Sequence, residues 1–141
     1  MADRFEDLTL QGNEKIKETI HRYHQEQTND RYDLGCLAVR ERMLRGGHLI
    51  FPADIIEEED ETTKFIFKTV MFEEMAFLVA FTDREEYEKR PVSGAVSQFI
   101  DVMLENIMQQ DDIAGVIINP WGEPFVLCKS DITMILEKED W

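Results

Sequence analysis

The longest uninterrupted apolar run of the chain, Met75–Phe81, constrains the fold more than any other feature. A run of seven apolar residues suits a strand buried on both faces and is far shorter than the ~20 residues that span a bilayer. It is followed directly by Thr82, Asp83, Arg84 and Glu85. The Thr-x-x-Glu spacing is that of a capping box, so we predict a short helix immediately after the strand, with Thr82 as its N-cap.

A second buried strand is predicted over 113–118, after a helix over 97–110. That helix has an apolar stripe at helical spacing, formed by Phe99, Ile100, Met103, Leu104, Ile107 and Met108. A strand, a helical crossover and a second strand pair in parallel through a right-handed connection. Pro120 and Gly122 then predict a turn, Phe125–Cys128 an antiparallel return strand, and Ser130 the cap of a last helix.

Two helices are predicted before the first strand, within residues 13–46. The first begins at Asn13 as its N-cap and has an apolar stripe of Ile16, Ile20 and Tyr23. The second runs from Asp30 to Gly46, where glycine can take the left-handed conformation that ends a helix. Residues 1–12 show no such period, and we expect them to be flexible.

The segment 48–72 is predicted to be β-structure. Residues 48–56 read as a strand interrupted by Pro52, which lacks the N–H of a ladder donor and therefore indicates an edge or a bulge. Residues 63–72 are apolar on both faces, which is typical of a central strand covered on both sides. We expect this strand to pair with Met75–Phe81, although the Glu73-Glu74 link between them lacks the residues that are usual in a hairpin turn.

These elements together predict an α+β fold. We expect a mixed β-sheet of about five strands, flanked by helices, with an N-terminal helical pair over 13–46 and an α/β core over 48–136. No linker or internal repeat is recognisable, so the 141 residues are interpreted as one domain.

The charge balance excludes some classes of partner. The chain has 30 Asp and Glu against 15 Lys and Arg, a formal net charge of −15. Nucleic acids and anionic membranes repel such a surface, so neither is expected as a partner. If charge guides association, the expected partner is a protein with a basic patch. The alternative is that the acidic residues serve only solubility.

The two cysteines, Cys36 and Cys128, are far apart and form no paired motif, which is typical of a reducing compartment. The N-terminus lacks the basic start and apolar run of a signal peptide. We therefore expect a cytoplasmic protein.

The histidines give weak evidence for a metal. Glu18, His21 and His24 resemble half of a di-iron motif, but a second copy is missing and His48 is isolated. A solvated helix face is the favoured interpretation, and we predict neither a metal nor a cofactor.

The sequence offers no catalytic constellation either. Cys36 lies on an apolar helix face, where burial raises the pKa of a thiol and lowers its reactivity. Ser93, Ser97 and Ser130 look like cap or loop residues, and no phosphate-binding glycine loop is present. We predict no catalytic residues and expect that the protein is not an enzyme.

Two segments are candidate partner-binding sites. One is the turn Asn119, Pro120 and Trp121, since a tryptophan at a turn either anchors an interface or folds back over its own hairpin. The terminal Trp141 is a further aromatic candidate. The second segment is the acidic run Glu57, Glu58, Glu59, Asp60 and Glu61. It lacks the glycine and alternating ligands of a calcium loop, and it is interpreted as a solvated hairpin tip or a docking patch for a basic partner.

Three passages carry a resemblance to a known family. They are Leu49-Ile50-Phe51-Pro52; Phe81-Thr82-Asp83 with Glu85-Glu86-Tyr87; and Gly115-Val116-Ile117-Ile118-Asn119-Pro120-Trp121-Gly122. Their order over residues 48–136, roughly two thirds of the chain, resembles the N-terminal domain of the SseB family, named for enhanced serine sensitivity. The resemblance implies a small α+β domain that acts as an interaction module, and it carries over no catalytic residues.

The sequence therefore predicts a non-enzymatic protein-interaction module that docks a basic partner. Two other classes stay open. A small-molecule sensor or enzyme would have a pocket on which polar groups converge. An acidic neutralising protein, an antitoxin or nucleic-acid mimic, would array its carboxylates on one face.

Overall fold

The computed structural model describes residues 10–91 and 94–137, in which two helices precede four consecutive strands and the remaining helices and strands are then interspersed. Within these residues there are five helices and seven strands. In chain order they are α1 Glu14–Gln25, α2 Asn29–Leu44, β1 His48–Glu57, β2 Thr63–Phe67, β3 Thr69–Phe72, β4 Met75–Ala80, α3 Arg84–Glu88, β5 Ala95–Phe99, α4 Ile100–Gln109, β6 Gly115–Ile118, β7 Phe125–Cys128 and α5 Lys129–Leu136. The predicted α+β class and the N-terminal helical pair are confirmed.

The described strands form two sheets rather than one. The first is antiparallel, in the order β2-β1-β5, and the second is mixed, in the order β3-β4-β6-β7. Strands β4 and β6 are parallel, as predicted for a strand–helix–strand unit, and β7 returns antiparallel. The sheets are joined between Ile50 and Phe81, whose backbones exchange two N–H···O bonds of 2.9 and 2.8 Å.

The main core lies between the helices and one face of the two sheets. Its centre is formed by fully buried aliphatic and aromatic side chains, among them Ile16, Ile20, Val39, Phe51, Ile107, Phe125 and Leu127.

Packing against the core explains why helix α2 contains a glycine. A Cβ atom on Gly35 would lie 2.6 Å from Cζ of Phe125, so only glycine allows this close approach.

The segment 63–72 corrects the prediction of one central strand. It is two strands, β2 and β3, each at the edge of its sheet. The pairing changes at Lys68, whose backbone N–H donates to the carbonyl of Pro52 at 2.9 Å. The outer side of this segment has no strand partner among the described residues, and apolar residues on both of its faces are exposed: Phe65, Ile66, Met71 and Phe72.

Pro52 is also placed differently from the prediction. It lies in β1, the middle strand of its sheet, opposite Ala95 of β5. This is the point at which β1 stops pairing with β5 and begins to pair with β2 at Ala53. A residue without an N–H is tolerated here because the ladder changes partner.

Two predicted boundaries are wrong for the same reason. Residues 95–99 form strand β5, so the helix predicted over 97–110 is observed only over Ile100–Gln109. Ser97 lies in that strand, and its hydroxyl is 3.0 Å from Nδ1 of His48. Ser130 lies in the first turn of α5, whose N-cap is Cys128. In both places strand pairing, of β5 with β1 and of β7 with β6, decides where the helix begins, rather than local propensity.

Some predictions fall outside the described residues. These are the ones on Ser93, on Trp141 and on residues 1–9 of the segment 1–12. None of the described helices combines the length and apolarity required to cross a membrane.

Candidate functional site: the hairpin arm and the Trp121 groove

The acidic run lies at the end of a two-stranded hairpin, residues 53–67, which we call the hairpin arm. Its strands are in register from Ala53 opposite Phe67 to Glu57 opposite Thr63. The chain reverses through hydrogen bonds from Glu58 N–H to Thr62 O at 2.9 Å and from Glu61 N–H to Glu58 O at 3.0 Å. All five acidic residues are exposed, which confirms the predicted hairpin tip.

Asp60 stabilises the turn at this tip. The Asp60 carboxylate accepts one hydrogen bond from the hydroxyl of Thr62 at 2.6 Å and one from the backbone N–H of Thr62 at 3.2 Å. These hydrogen bonds lower the pKa of Asp60. The four glutamates of the tip make no ion pair with the described part of the chain, so their charges are available to a partner.

Both faces of the arm carry exposed apolar side chains. Ile55 and Phe65 are directly opposite each other on one face, and they are 51% and 37% exposed. Ile56 and Ile66 lie on the other face, next to the charged Lys64 and Asp54. Beyond Ala53, neither edge of the arm pairs with another strand among the described residues. An isolated two-stranded ribbon gains little stability by itself, so this arm is suited to binding another surface.

A row of aromatic rings connects the arm to the core. Phe51 is buried and lies 6.1 Å, centroid to centroid, from Phe67, which is 6.3 Å from Phe65. The exposed face is thus continuous with the packed interior. A partner that covers Phe65 and Ile55 would extend the main core outward.

The Asn119 prediction requires a correction. Asn119 is only 2% exposed, and its side chain points inward. Its Oδ1 accepts from Thr82 N–H at 3.0 Å, and its Nδ2 donates to the Thr82 hydroxyl at 3.1 Å. Asn119 therefore supports the fold and does not present a contact to a partner. The predicted turn itself is confirmed by the hydrogen bond from Gly122 N–H to Asn119 O at 3.1 Å.

The same network involves two predicted helix caps. Asn13 is the N-cap residue of α1, as predicted, but its side chain makes no capping hydrogen bond, because its Oδ1 accepts from Nε of Arg42 at 3.0 Å and its Nδ2 donates to the carbonyls of His48 and Thr82 at 2.8 and 2.9 Å. Helix α3 is capped by Asp83 in place of Thr82, with Glu86 N–H donating to the Asp83 carboxylate at 3.0 Å.

Trp121 and the base of the hairpin arm share one groove of about 260 Å³, which we call the Trp121 groove. Its apolar lining comes from Val70, Val79 and Phe81. Trp121 is 37% exposed, and Cζ of Arg90 lies 5.0 Å from the centroid of its ring. Pro120 precedes the groove and is half-buried. Trp121 is thus the residue of the predicted turn that reaches an accessible surface.

The two surfaces have opposite charge. The Trp121 groove has the cations Lys68 and Arg90 at its border, whereas the tip of the arm has four glutamates that form no ion pair within the described ranges. Lys68 belongs to both regions, since its Nζ lies 2.9 Å from Asp54 of the arm. Glu57 is four residues beyond Ala53, which corresponds to about 13 Å of strand. A basic partner fits the tip and does not fit the groove.

The predicted histidine face is exposed. Nδ1 of His21 lies 2.8 Å from Glu123, with both side chains about half exposed, and His24 contacts the carbonyl of Pro124 at 2.7 Å. Glu18 pairs with Arg22. No group of three or more His, Cys, Asp or Glu side chains that could hold a metal ion occurs in the described ranges.

Sequence reasoning missed one buried ionic cluster. Glu86 is 3% exposed and lies 3.1 Å from Lys17 and 2.9 Å from Lys89. Burial alone would lower the pKa of Lys17, but the hydrogen bonds and charges of Glu86, Asp83 and Glu85 outweigh it and raise that pKa. The cluster ties α1 to α3. The i, i+3 spacing of Glu86 and Lys89 could have indicated their ion pair from the sequence, but only the fold shows that Lys17 joins the same cluster.

The thiols are poorly suited to nucleophilic chemistry. Burial, together with the nearby charge of Asp131, raises the pKa of Cys36 to about 12. The pKa of Cys128 is also raised, by burial and by Asp131. The prediction that burial suppresses the reactivity of Cys36 is consistent with this environment, since the thiolate is the nucleophile.

Comparisons with protein-family models, with curated proteins and with solved structures found no match to this chain. The resemblance to the SseB family therefore stays a prediction.

Proposed function

We propose that this protein is a non-enzymatic interaction module whose hairpin arm docks a basic partner protein. The observation that carries the proposal is the exposure of Ile55 and Phe65 on a ribbon directly beside the exposed glutamates of its tip; neither the edges of the ribbon nor these glutamates have a partner in the part of the chain that the structure describes. Apolar area gives the contact its affinity, at about 25 cal/mol per Å² removed from water, and the glutamates steer a cationic partner.

The chemistry of the described side chains supports a binding role over a catalytic one. The His21–Glu123 pair is exposed, and the Cys36 thiol is held protonated by its surroundings. The proposal also agrees with the predicted SseB-like character. We place the protein in the cytoplasm, since both cysteines are free thiols and the cytoplasm is reducing.

Paired substitutions on the arm test the proposal. In Ile55→Thr/Phe65→Thr both side chains remain β-formers, but the apolar face is lost. Val102→Thr/Met134→Thr is the matched control, since both of these residues are about half exposed on helices away from the arm. Affinity capture followed by quantitative mass spectrometry should recover a stoichiometric basic protein with the wild type and the control, and at least tenfold less of it with the arm variant.

Charge provides the second readout. Glu57→Gln/Glu58→Gln/Glu59→Gln should weaken the association and flatten its salt dependence. The control Glu26→Gln/Glu41→Gln/Glu105→Gln removes the same three charges at scattered exposed positions. Equal capture by all variants, or a partner without a basic surface, would contradict the proposal.

A further inference from the structure

We propose that the Trp121 groove is a second, separate binding site, which takes a small apolar carboxylate of about the size of an amino acid. The site does not depend on the partner of the hairpin arm. Its evidence is the convergence on one cavity of an indole face, an apolar floor and a guanidinium that has no ion pair with residues 10–91 and 94–137.

Arg90 is the group that selects a carboxylate. Within the described residues it makes no ion pair, whereas Lys17, Lys68 and Lys89 all pair with carboxylates. A guanidinium held over an indole keeps the N–H groups of its edge free to donate, and two of them match the two oxygens of a carboxylate.

The floor of the groove selects an apolar body for the ligand. Val79 and Phe81 are almost fully buried below it, and Val70 and Pro52 form part of its sides. Trp121 provides an exposed aromatic wall on which a ring or an aliphatic chain can pack. A ligand here would cover apolar surface that is otherwise in contact with water.

The volume and the charge limit the size and type of the ligand. A groove of about 260 Å³ holds about nine water molecules at liquid density, and it is smaller than the roughly 300–1,000 Å³ of a drug-sized pocket. That space suits one aromatic or aliphatic group with its carboxylate. Lys68 adds a second positive charge at the border, although it is partly neutralised by Asp54 at 2.9 Å.

Tryptophan fluorescence tests the site directly. In a Trp141→Phe background, Trp121 is the sole tryptophan of the chain. Titration with 3-phenylpropionate should change its emission with saturation and a Kd on the order of 1 mM. The uncharged 3-phenylpropanamide has the same shape and should bind at least fivefold more weakly. Calorimetric titration with the same two probes checks the result independently of the fluorescence.

Two variants assign the binding to the groove. Arg90→Gln should weaken 3-phenylpropionate at least fivefold, whereas Arg22→Gln, which removes an exposed arginine on α1, should leave the affinity unchanged. Thr69→Asp changes an exposed residue at the border, and its added carboxylate should repel the probe.

Equal affinities for the acid and the amide, an Arg90→Gln variant that binds like the wild type, or no saturable binding by either method would each overturn the proposal.

Discussion

Thr82 and Asn119, which are 37 residues apart in the chain, hydrogen-bond to each other in both directions. They lie directly after the parallel strands β4 and β6, and Asn119 N–H also donates to the carbonyl of Ala80 at 2.8 Å. Both residues are buried, so each bond replaces one that water would otherwise supply. The pair fixes the start of the turn that places Trp121 at its groove.

The first prediction concerns this pair. Asn119→Ala should lower the free energy of unfolding by about 2–4 kcal/mol, because it leaves the buried Thr82 N–H without an acceptor and places alanine at a φ of 54°. Urea unfolding followed by circular dichroism measures the change. Asn106→Ala, on the exposed side of α4, is the control and should change the stability by less than about 0.5 kcal/mol. An equally small effect at Asn119 would show that the hydrogen bonds contribute little.

The second prediction concerns Gly35. In a helix interior, replacing glycine by alanine ordinarily stabilises by about 1 kcal/mol. Gly35→Ala should instead destabilise by about 1–3 kcal/mol, because its Cβ would lie 2.6 Å from the ring of the fully buried Phe125. Thermal unfolding of the variant shows whether the substitution raises or lowers the stability. Combining it with Phe125→Leu should remove part of the penalty, and an increase in stability of the single variant would contradict the packing argument.

The third prediction concerns the protonation of Cys36. Its pKa is raised by burial from 9.0 to about 12, so the unfolded chain loses this proton at lower pH than the folded protein. The contribution to stability is complete below pH 9 and is lost as the pH rises towards 12. In Cys36→Ala, the decline of the unfolding free energy over this window should be shallower by up to about 1.4 kcal/mol per pH unit.

Tyr32 acts in the same direction, since burial raises its pKa, and the charge of Cys36 also contributes to that shift, so the change of slope in Cys36→Ala includes the part of the Tyr32 shift that depends on Cys36. Thiol labelling at pH 8 gives an independent check, because the exposed Cys128 should react while Cys36 stays protected until the chain unfolds. Equal slopes in the two proteins, or rapid labelling of Cys36, would show that the thiol is not buried in solution.

Short-range patterns in the sequence were sufficient for most elements. The antiparallel strand was predicted with the observed bounds Phe125–Cys128, and the apolar run beginning at Met75 is strand β4. Gly46 takes the predicted left-handed conformation, with a φ of 73°. In these places local propensity, the apolar pattern and the tertiary structure favour the same conformation.

The candidate site was only partly predictable. Trp121 and the acidic tip were both recognised, but the sequence did not indicate that Lys68 and Arg90 border the same groove as Trp121. Those cations come from different elements and meet only after folding. The inward orientation of Asn119 was missed because its partner, Thr82, was interpreted as a local helix cap.

The sequence by itself determined the α+β class, the order of most elements and the acidic character, because apolar periodicity and net charge are properties of neighbouring residues and of composition. Only the tertiary structure decided which apolar residues are covered. Segment 63–72 has the two-sided pattern of a central strand, yet its outer edge has no strand partner among the described residues, and its side chains at 65, 66, 71 and 72 stay exposed. Burial depends on what packs against a residue from elsewhere in the chain, and a pattern within one segment contains no information about that neighbour.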